Sequence, residues 1–240
     1  MSTPALFLLD PLPPGDVIVL DGDEGRHAAR VKRVRPGETV LIGDGRGALV
    51  SCVAKSVGAD RLTARVVDRR VVPMPDPRLV VVQALPKGER AELAVELLTE
   101  LGADEIVPWA AARSVVQWTG ERAAKALTRW RRVAAEAAKQ SRRPWVPVVA
   151  ELASTSEVVA RARGALVLHE GAALALTGAV LPVGCEIILV VGPEGGIAAD
   201  ELAAFTAAGA VPVRLGEPVL RTSTAGAAAL GVLSVRIGRW

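Results

Sequence analysis

The stretch Glu186–Glu201, EIILVVGPEGGIAADE, constrains the fold of this chain more than any other. Ile187–Val191 is a buried-type strand, Gly192-Pro193-Glu194-Gly195-Gly196 is a turn, and a helix opens on Ala199-Asp200-Glu201. A glycine-rich turn at the carboxyl end of a strand lets backbone approach a ligand, because no Cβ stands in the way. The helix that follows adds free N–H donors and the positive end of a dipole. Such a unit builds a small-molecule pocket. It is not a GxGxxG turn, because Pro193 and Glu194 occupy its middle, and it is not a P-loop, because no Lys-Ser/Thr follows Gly196. Glu194 would repel a phosphate. The turn suits a ligand that is neutral or cationic near the glycines.

Two more strand-then-turn units accompany it. Val213–Leu215 runs into Gly216-Glu217-Pro218-Val219-Leu220-Arg221, and an Ala-rich helix begins near Thr222–Thr224, where Ser/Thr is expected to cap. Ala165–Leu168 runs into His169-Glu170-Gly171. Three strand ends near His169, Gly192 and Leu215 can line one side of a parallel sheet, where α/β proteins bind ligands.

The rest of the chain supports a two-part organisation. Residues 1–72 are short apolar runs (Val17–Leu20, Glu38–Ile42, Ala48–Ala54, Leu62–Val67) separated by Asp21-Gly22, Pro36-Gly37 and Gly43-Asp44-Gly45, as in a small β-barrel. Arg26–Arg35 is expected to be a short helix with a basic side. Residues 73–78, rich in proline, read as a linker. From Leu79 to the end, strands at Leu79–Ala84, Glu105–Pro108, Val146–Val149, Ala165–Leu168, Glu186–Val191 and Val211–Leu215 alternate with helices. The helices are expected at Glu89–Leu101, Glu121–Ser141, Ser156–Arg163, Asp200–Ala208 and Thr222–Ile237. That alternation implies a mostly parallel sheet with helices on both faces.

No apolar run reaches the length of a membrane span although half the residues are apolar, and Met1–Leu9 carries no secretory signature. Cys52 and Cys185 form no metal-ligand or CxxC pattern; two lone cysteines suit a reducing cytoplasm and are expected to be buried as small apolar residues. No metal site is expected. A net charge of +3 says little about nucleic acid, but its distribution says more. Arg26, Arg30, Lys32, Arg33 and Arg35 cluster beside a single acid, Glu38. A second cluster runs Arg122, Lys125, Arg129, Arg131, Arg132, Lys139, Arg142, Arg143, interleaved with Trp130 and Trp145. Cations with aromatic neighbours suit phosphate contact and base stacking; a solvated helix face and core tryptophans are the alternatives for Trp118, Trp130 and Trp145.

LHEG, LVVGPEGGIAADE and VRLGEPVLRTSTA together resemble the C-terminal half of the SPOUT class of RNA methyltransferases, and most of all its RsmE family. The N-terminal RHAARV with GDG, the middle ALPKGER followed by ELLTELG, and KQSRR extend the resemblance over nearly the whole chain. It implies a PUA-like β-barrel followed by an α/β domain with a trefoil knot, and methylation of N3 of one uridine in small-subunit ribosomal RNA. It implies S-adenosylmethionine bound at Leu168, His169, Gly192, Pro193, Gly195, Gly196, Leu215, Gly216, Leu220 and Thr222, and RNA contacts from Arg26, His27, Arg30, Arg33, Lys87, Arg142 and Arg143. It also implies a homodimer in which the second subunit completes the RNA site; the Ala-rich Thr222–Ile237 helix is a candidate interface, or packs within one subunit.

The chemistry needs no metal. The uridine N3 must lose its proton and lie in line with the S–CH₃ bond, and positioning alone lowers much of the barrier. Arg221 follows the cofactor-lining strand and is the first candidate to stabilise the developing anion. Glu194 is the second catalytic candidate, orienting an Arg or the imide, with a structural turn contact as its other reading. His27 and His169 have a suitable native pKa, but the first suits RNA contact and the second a structural hydrogen bond. Relatives often carry Glu where this chain has Ser223, and some an acid where it has Lys139, so the general base stays open. The competing functions are a SPOUT methyltransferase acting on a ribose 2′-OH or on transfer RNA, and a non-catalytic RNA-binding or ribosome-assembly module.

Overall fold

The computed structural model describes residues 3–240 and divides into two compact units. The first comprises residues up to Met74 together with Ala138–Val146; the second comprises Pro75–Ala137 and Pro147–Trp240. A nine-residue excursion from the middle of the chain thus belongs to the N-terminal unit.

The N-terminal unit is a five-stranded sheet of β1 (Ala5–Leu8), β2 (Val17–Leu20), β3 (Thr39–Gly43), β4 (Ala48–Val57) and β5 (Leu62–Val71), in the order β1-β3-β4-β5-β2. Only the β1–β3 pair is parallel. Alternate residues point inward, so Phe7, Ile18, Ile42, Val50, Cys52 and Leu62 share one core. The β1 strand was not expected, since its four-residue apolar run carries no turn signal before it. The helix expected at Arg26–Arg35 begins earlier. A helix α1 (Gly22–Arg26) places Asp23 and Glu24 in its first turn, where the dipole favours acids, and passes into a π-helix over His27–Val31. Gly25 has no room for a side chain, because a Cβ there would stand 2.1 Å from the Asp60 carbonyl oxygen.

The C-terminal unit is an all-parallel six-stranded sheet. Along the chain come β6 (Arg78–Ala84), α2 (Arg90–Glu100), β7 (Glu105–Trp109), α3 (Gly120–Gln140), β8 (Val148–Val149), α4 (Thr155–Ala160), β9 (Leu166–Leu168), β10 (Glu186–Val191), α5 (Ala199–Ala207), β11 (Val211–Val213) and α6 (Thr222–Arg236). The strand order is β11-β9-β10-β6-β7-β8. Period-2 alternation sends Leu79, Val81, Leu189 and Val191 to one face, under Leu98, Trp130 and Leu233. It sends Val80, Val82, Ile188 and Val190 to the other, under Val158 and Phe205. Helices α2, α3 and α6 therefore cover one face, and α4 and α5 the other. Burial on both faces explains the near-continuous apolar strands.

The two ends of this sheet differ. At the amino ends, Arg78 bonds Glu186 at 2.8 Å and Arg161 bonds Glu105 at 2.8 Å, with cross-contacts of 3.6 and 3.5 Å closing a four-residue ion network. The hydrogen bond to Glu105 pushes the Arg161 guanidinium pKa above its ordinary value. At the carboxyl ends stand the glycine turns.

Some side chains settle alternatives left open by the sequence, and others fall elsewhere than expected. Trp130 is 2% exposed and the partly buried Trp118 packs edge-on against it at 5.1 Å, in agreement with the core reading of these two. Trp145 lies against Gly47 and donates to the Val72 carbonyl at 2.9 Å. Cys52 is buried, which pushes its thiol pKa up, but Cys185 is exposed, contrary to expectation, because it lies in the loop leading into β10. Within the second basic cluster Arg129 pairs with Glu92, Arg131 with Glu151, and Lys139 is buried on Glu24 at 2.6 Å.

Candidate functional site

Three chain segments meet at the carboxyl ends of β9, β10 and β11. They enclose a cavity of about 340 Å³ lined by Leu168–Glu170, Val191–Glu194, Gly196–Ile197, Val213–Gly216, Pro218–Thr222 and Ala225. Parallel strands place these ends side by side: Leu189 is in register with Leu166, and Leu168 with Val213. The His169 N–H donates to the Val213 carbonyl at 2.9 Å and ties the turn after β9 to the end of β11.

Nine of the ten residues expected around a cofactor line this cavity: Leu168, His169, Gly192, Pro193, Gly196, Leu215, Gly216, Leu220 and Thr222. Gly195 does not. Its missing Cβ faces Arg113, whose Cβ and carbonyl oxygen would lie 3.2 Å away, and Arg113 donates to the Gly195 carbonyl at 3.3 Å. The other two glycines of the turn have separate reasons. A Cβ at Gly192 would stand 2.7 Å from Ile197, while Gly196 takes φ +73°, and its N–H closes the turn on the Pro193 carbonyl at 2.9 Å. Helix α5 is capped in an unforeseen way: Glu201, 4% exposed, accepts from the N–H of Ala198, the N–H of Ala112 and the Thr155 hydroxyl. That carboxylate pins the loop after β7 and the start of α4 behind the turn.

Both expected catalytic residues line the cavity. Glu194 accepts from the Lys87 N–H at 3.1 Å, which brings Lys87 beside the turn. Arg221 is exposed at the N-cap position of α6, and among the described residues its guanidinium has no hydrogen-bond partner. The helix start is capped by no side chain, contrary to the reading of Thr222–Thr224. Thr222 and Ser223 are buried instead, and the Arg221 carbonyl collects the N–H groups of Thr224 and Ala225 at 2.9 Å. His169 accepts from the Gly171 N–H on Nδ1 at 3.1 Å.

The cavity also brings in Glu170, Ile197, Arg214, Pro218, Val219 and Ala225, which motif reading passed over. Glu170 belongs to the His169-Glu170-Gly171 turn, directly after the histidine. Small residues let α6 close the site from below: a Cβ at Gly226 would come within 3.0 Å of Leu98 and 3.2 Å of Val191.

The remaining expected RNA contacts lie in the N-terminal unit. Arg26 pairs with Asp23, His27 packs edge-on against Phe7 at 6.0 Å, and Arg30 bonds the Ala59 carbonyl at 3.1 Å. Arg33 and Arg142 are exposed, and Arg143 is half-buried. Among the described residues no group of three His, Cys, Asp or Glu side chains could hold a metal ion, and no helix is long and apolar enough to cross a membrane.

Residues 73–234 match the family model of an RNA methyltransferase domain, and residues 20–67 that of an RNA methyltransferase PUA domain. The ribosomal RNA small subunit methyltransferase E of Mycobacterium tuberculosis is 53% identical, over 98% of this chain and 93% of its own. That of Bacillus subtilis is 32% identical over 90% and 88%. The crystal structure of a ribosomal RNA small subunit methyltransferase E from Neisseria gonorrhoeae bound to S-adenosyl methionine superposes with a TM-score of 0.86 at 29% identity, covering 98% of both chains. A match of that extent in sequence, over a PUA domain and a parallel sheet with a pocket at its carboxyl ends, assigns the chain to the ribosomal RNA small subunit methyltransferase E family.

Proposed function

We propose that this chain transfers the methyl group of S-adenosylmethionine to N3 of one uridine in small-subunit ribosomal RNA. The observation that carries the reading is the strand-end cavity in which Arg221, without a partner of its own, faces the same space as the GPEGG turn. The lining fits the cofactor. Main-chain groups at Leu168, Gly192 and Leu215 suit an adenine edge, and Glu170 and Glu194 suit a cation rather than a phosphate chain. When bound, S-adenosylmethionine supplies an electrophilic methyl group and needs no metal. Arg221 holds the uracil carbonyls and stabilises the negative charge left as the N3 proton departs. Glu170 and Glu194 are the carboxylates of the cavity that can take this proton, directly or through water.

The N-terminal unit, read as residues 1–72 and joined through the proline-rich 73–78 to the methyltransferase domain of 79–240, supplies the RNA grip through Arg26, His27, Arg30 and Arg33, together with Arg142 and Arg143 of the excursion that packs with it, and Lys87 guides the target base at the pocket. The protein works in the cytoplasm as a homodimer. Val235 and Trp240, both more than 60% exposed at the end of α6, support a partner surface there.

The reading is tested by incubating the protein and methyl-labelled S-adenosylmethionine with small subunits from a strain lacking the modification, then mapping the label by mass. Label on uridine N3 is expected. Label on a ribose 2′-OH would replace the target chemistry, and cofactor that does not bind would leave an assembly module.

A further inference from the structure

The N-terminal unit contains a second cleft, of about 720 Å³, that no part of the methyl-transfer site uses. Its floor is Pro4–Leu6 and Val40, and its polar walls are Lys32, Glu38, Lys139, Gln140 and Arg142. Two helix ends from distant parts of the chain form it: the Lys32 ammonium donates to Gln140 Oε1 at 3.1 Å across 108 residues of sequence.

Both helix ends carry an arginine where glycine is the usual choice. Arg33 has φ +53° and Arg142 has φ +55°; every other positive-φ residue described is glycine, twelve in all. At Arg142 the chain makes a Schellman turn, with Arg143 N–H on the Ala138 carbonyl at 2.9 Å and Arg142 N–H on that of Lys139 at 3.3 Å. At Arg33 the turn is one residue wider, Val34 N–H reaching the Ala28 carbonyl at 3.0 Å, as the preceding π-helix requires. A left-handed arginine is strained, and such strain is retained where the side chain has work to do. The two strained arginines of the described chain flank one cleft.

Three of the cations at the cleft carry no ion pair among the described residues. Arg142 Nε donates to the Pro4 carbonyl at 2.9 Å, which ties the exposed guanidinium to the cleft. Among the described residues neither Lys32, Arg33 nor Arg142 has a carboxylate within ion-pair distance. Glu38, the acid of the cleft, accepts the Arg35 N–H at 3.1 Å. Lys139, also on the wall, is held by Glu24, whose other oxygen accepts the Leu8 N–H at 3.1 Å, so a buried pair fixes the α3 end against β1.

Resting on the reading of this chain as an RNA methyltransferase, we propose that this cleft is a phosphodiester clamp: Lys32 and Arg142, with Arg33 at its edge, grip the ribosomal RNA backbone irrespective of sequence. Each cation that meets a phosphate releases a counterion, so its removal leaves a mark on the salt dependence of binding.

The test is filter binding of the full-length protein to protein-free small-subunit ribosomal RNA over a KCl series. Arg142→Gly and Lys32→Gln are each expected to weaken binding about five- to tenfold at 100 mM KCl and to lower the log–log salt slope by roughly 0.7–0.9. Arg70→Gln, an exposed arginine on β5 away from the cleft, is expected to change affinity less than twofold. Glycine suits the left-handed backbone, so Arg142→Gly should hold its Tm within about 3 °C and bind S-adenosylmethionine as the wild type does. If that variant nevertheless unfolds, Lys32→Gln, which leaves the backbone untouched, decides alone. Wild-type protein that binds the RNA while both cleft variants match it overturns the clamp only. An equal loss in Arg70→Gln also overturns it, by reducing the effect to overall charge. Wild-type protein that binds intact small subunits but not this RNA overturns the clamp only, and wild-type protein that binds neither overturns the functional reading and the clamp together.

Discussion

The cavity at the carboxyl ends of β9, β10 and β11 is lined by strand ends and tight turns that include three glycines and two prolines, whereas the cleft of the N-terminal unit carries the long cationic side chains of Lys32, Lys139 and Arg142 from two separate segments. The first has little side-chain freedom to lose when it closes on a ligand, and its donors are fixed by the sheet. That suits a small donor molecule which must be held in one attack geometry. The second is built from flexible arms with water-exposed charges, which suits a polyanion met in many local shapes and makes binding depend on salt. A methyltransferase acting on a large RNA needs both, and this chain keeps them in different units.

The same division runs through the sheet of the C-terminal unit. Its amino ends are tied by Arg78, Glu105, Arg161 and Glu186, while its carboxyl ends hold the ligand cavity. Stability and chemistry should therefore respond to different substitutions.

The largest effect is expected at Arg221. Arg221→Ala should lower kcat about 10²- to 10³-fold while the dissociation constant of S-adenosylmethionine stays within threefold or so, because the substitution leaves the main-chain groups proposed for that ligand in place. A loss of cofactor affinity with unchanged kcat would move Arg221 from the chemistry to the cofactor. Next comes Glu105→Gln at the opposite end. It removes a carboxylate shared by Arg78 and Arg161, one of them half-exposed, and should cost about 1–2 kcal/mol in denaturant unfolding. Turnover per folded molecule should not change; a drop in kcat would show that the two ends are coupled. Gly196→Val forces a β-branched residue into φ +73° on the cavity wall and should weaken S-adenosylmethionine roughly tenfold by calorimetry. Wild-type affinity there would mean that the turn is not the cofactor wall.

The smallest expected effect is a pH effect at the start of α4. Hydrogen bonds from the Ser154 N–H and hydroxyl hold the Glu157 carboxyl below its ordinary value. The capping contribution is therefore full above about pH 4.3, the ordinary glutamate value, and disappears as pH falls through the lowered value of the folded state. Amide exchange in α4 should quicken in that acid window, and Glu157→Gln should flatten the change. Equal acid sensitivity in the variant would assign the fraying to another group.

The two cavities also differ in how far the sequence revealed them. The strand-end site is local: each wall is a strand running straight into a turn, so GPEGG, HEG and LGEPVLRT could be seen as a set. Orientation within a turn was not legible. Three neighbouring glycines look alike in sequence, yet one makes room for Ile197, one for Arg113, and one supplies a left-handed turn. Glu170 and Arg214 lie inside the quoted motifs, but that they line the cavity follows from the path of the chain after β9 and β11, which the motifs do not record.

The N-terminal cleft could not be foreseen as a site, because Lys32 and Arg142 are 110 positions apart and meet only through tertiary packing. Asp21-Gly22 resembles a turn and hid the start of α1, while a π-helix has no composition of its own. Trp130 and Lys139 sit in a basic stretch that suggested a solvent face; packing against Trp118 and pairing with Glu24 place both in the interior.

The most direct measurement compares the salt dependence of the two affinities in one preparation of the wild-type protein. Between 50 and 300 mM KCl the dissociation constant of S-adenosylmethionine should stay nearly constant, while that of small-subunit ribosomal RNA should rise with a log–log slope of at least about 2, the release expected from three or more phosphate contacts. A cofactor affinity that falls as steeply as the RNA affinity, or an RNA affinity indifferent to salt, would contradict the division of this chain into a strand-end pocket and a cationic clamp.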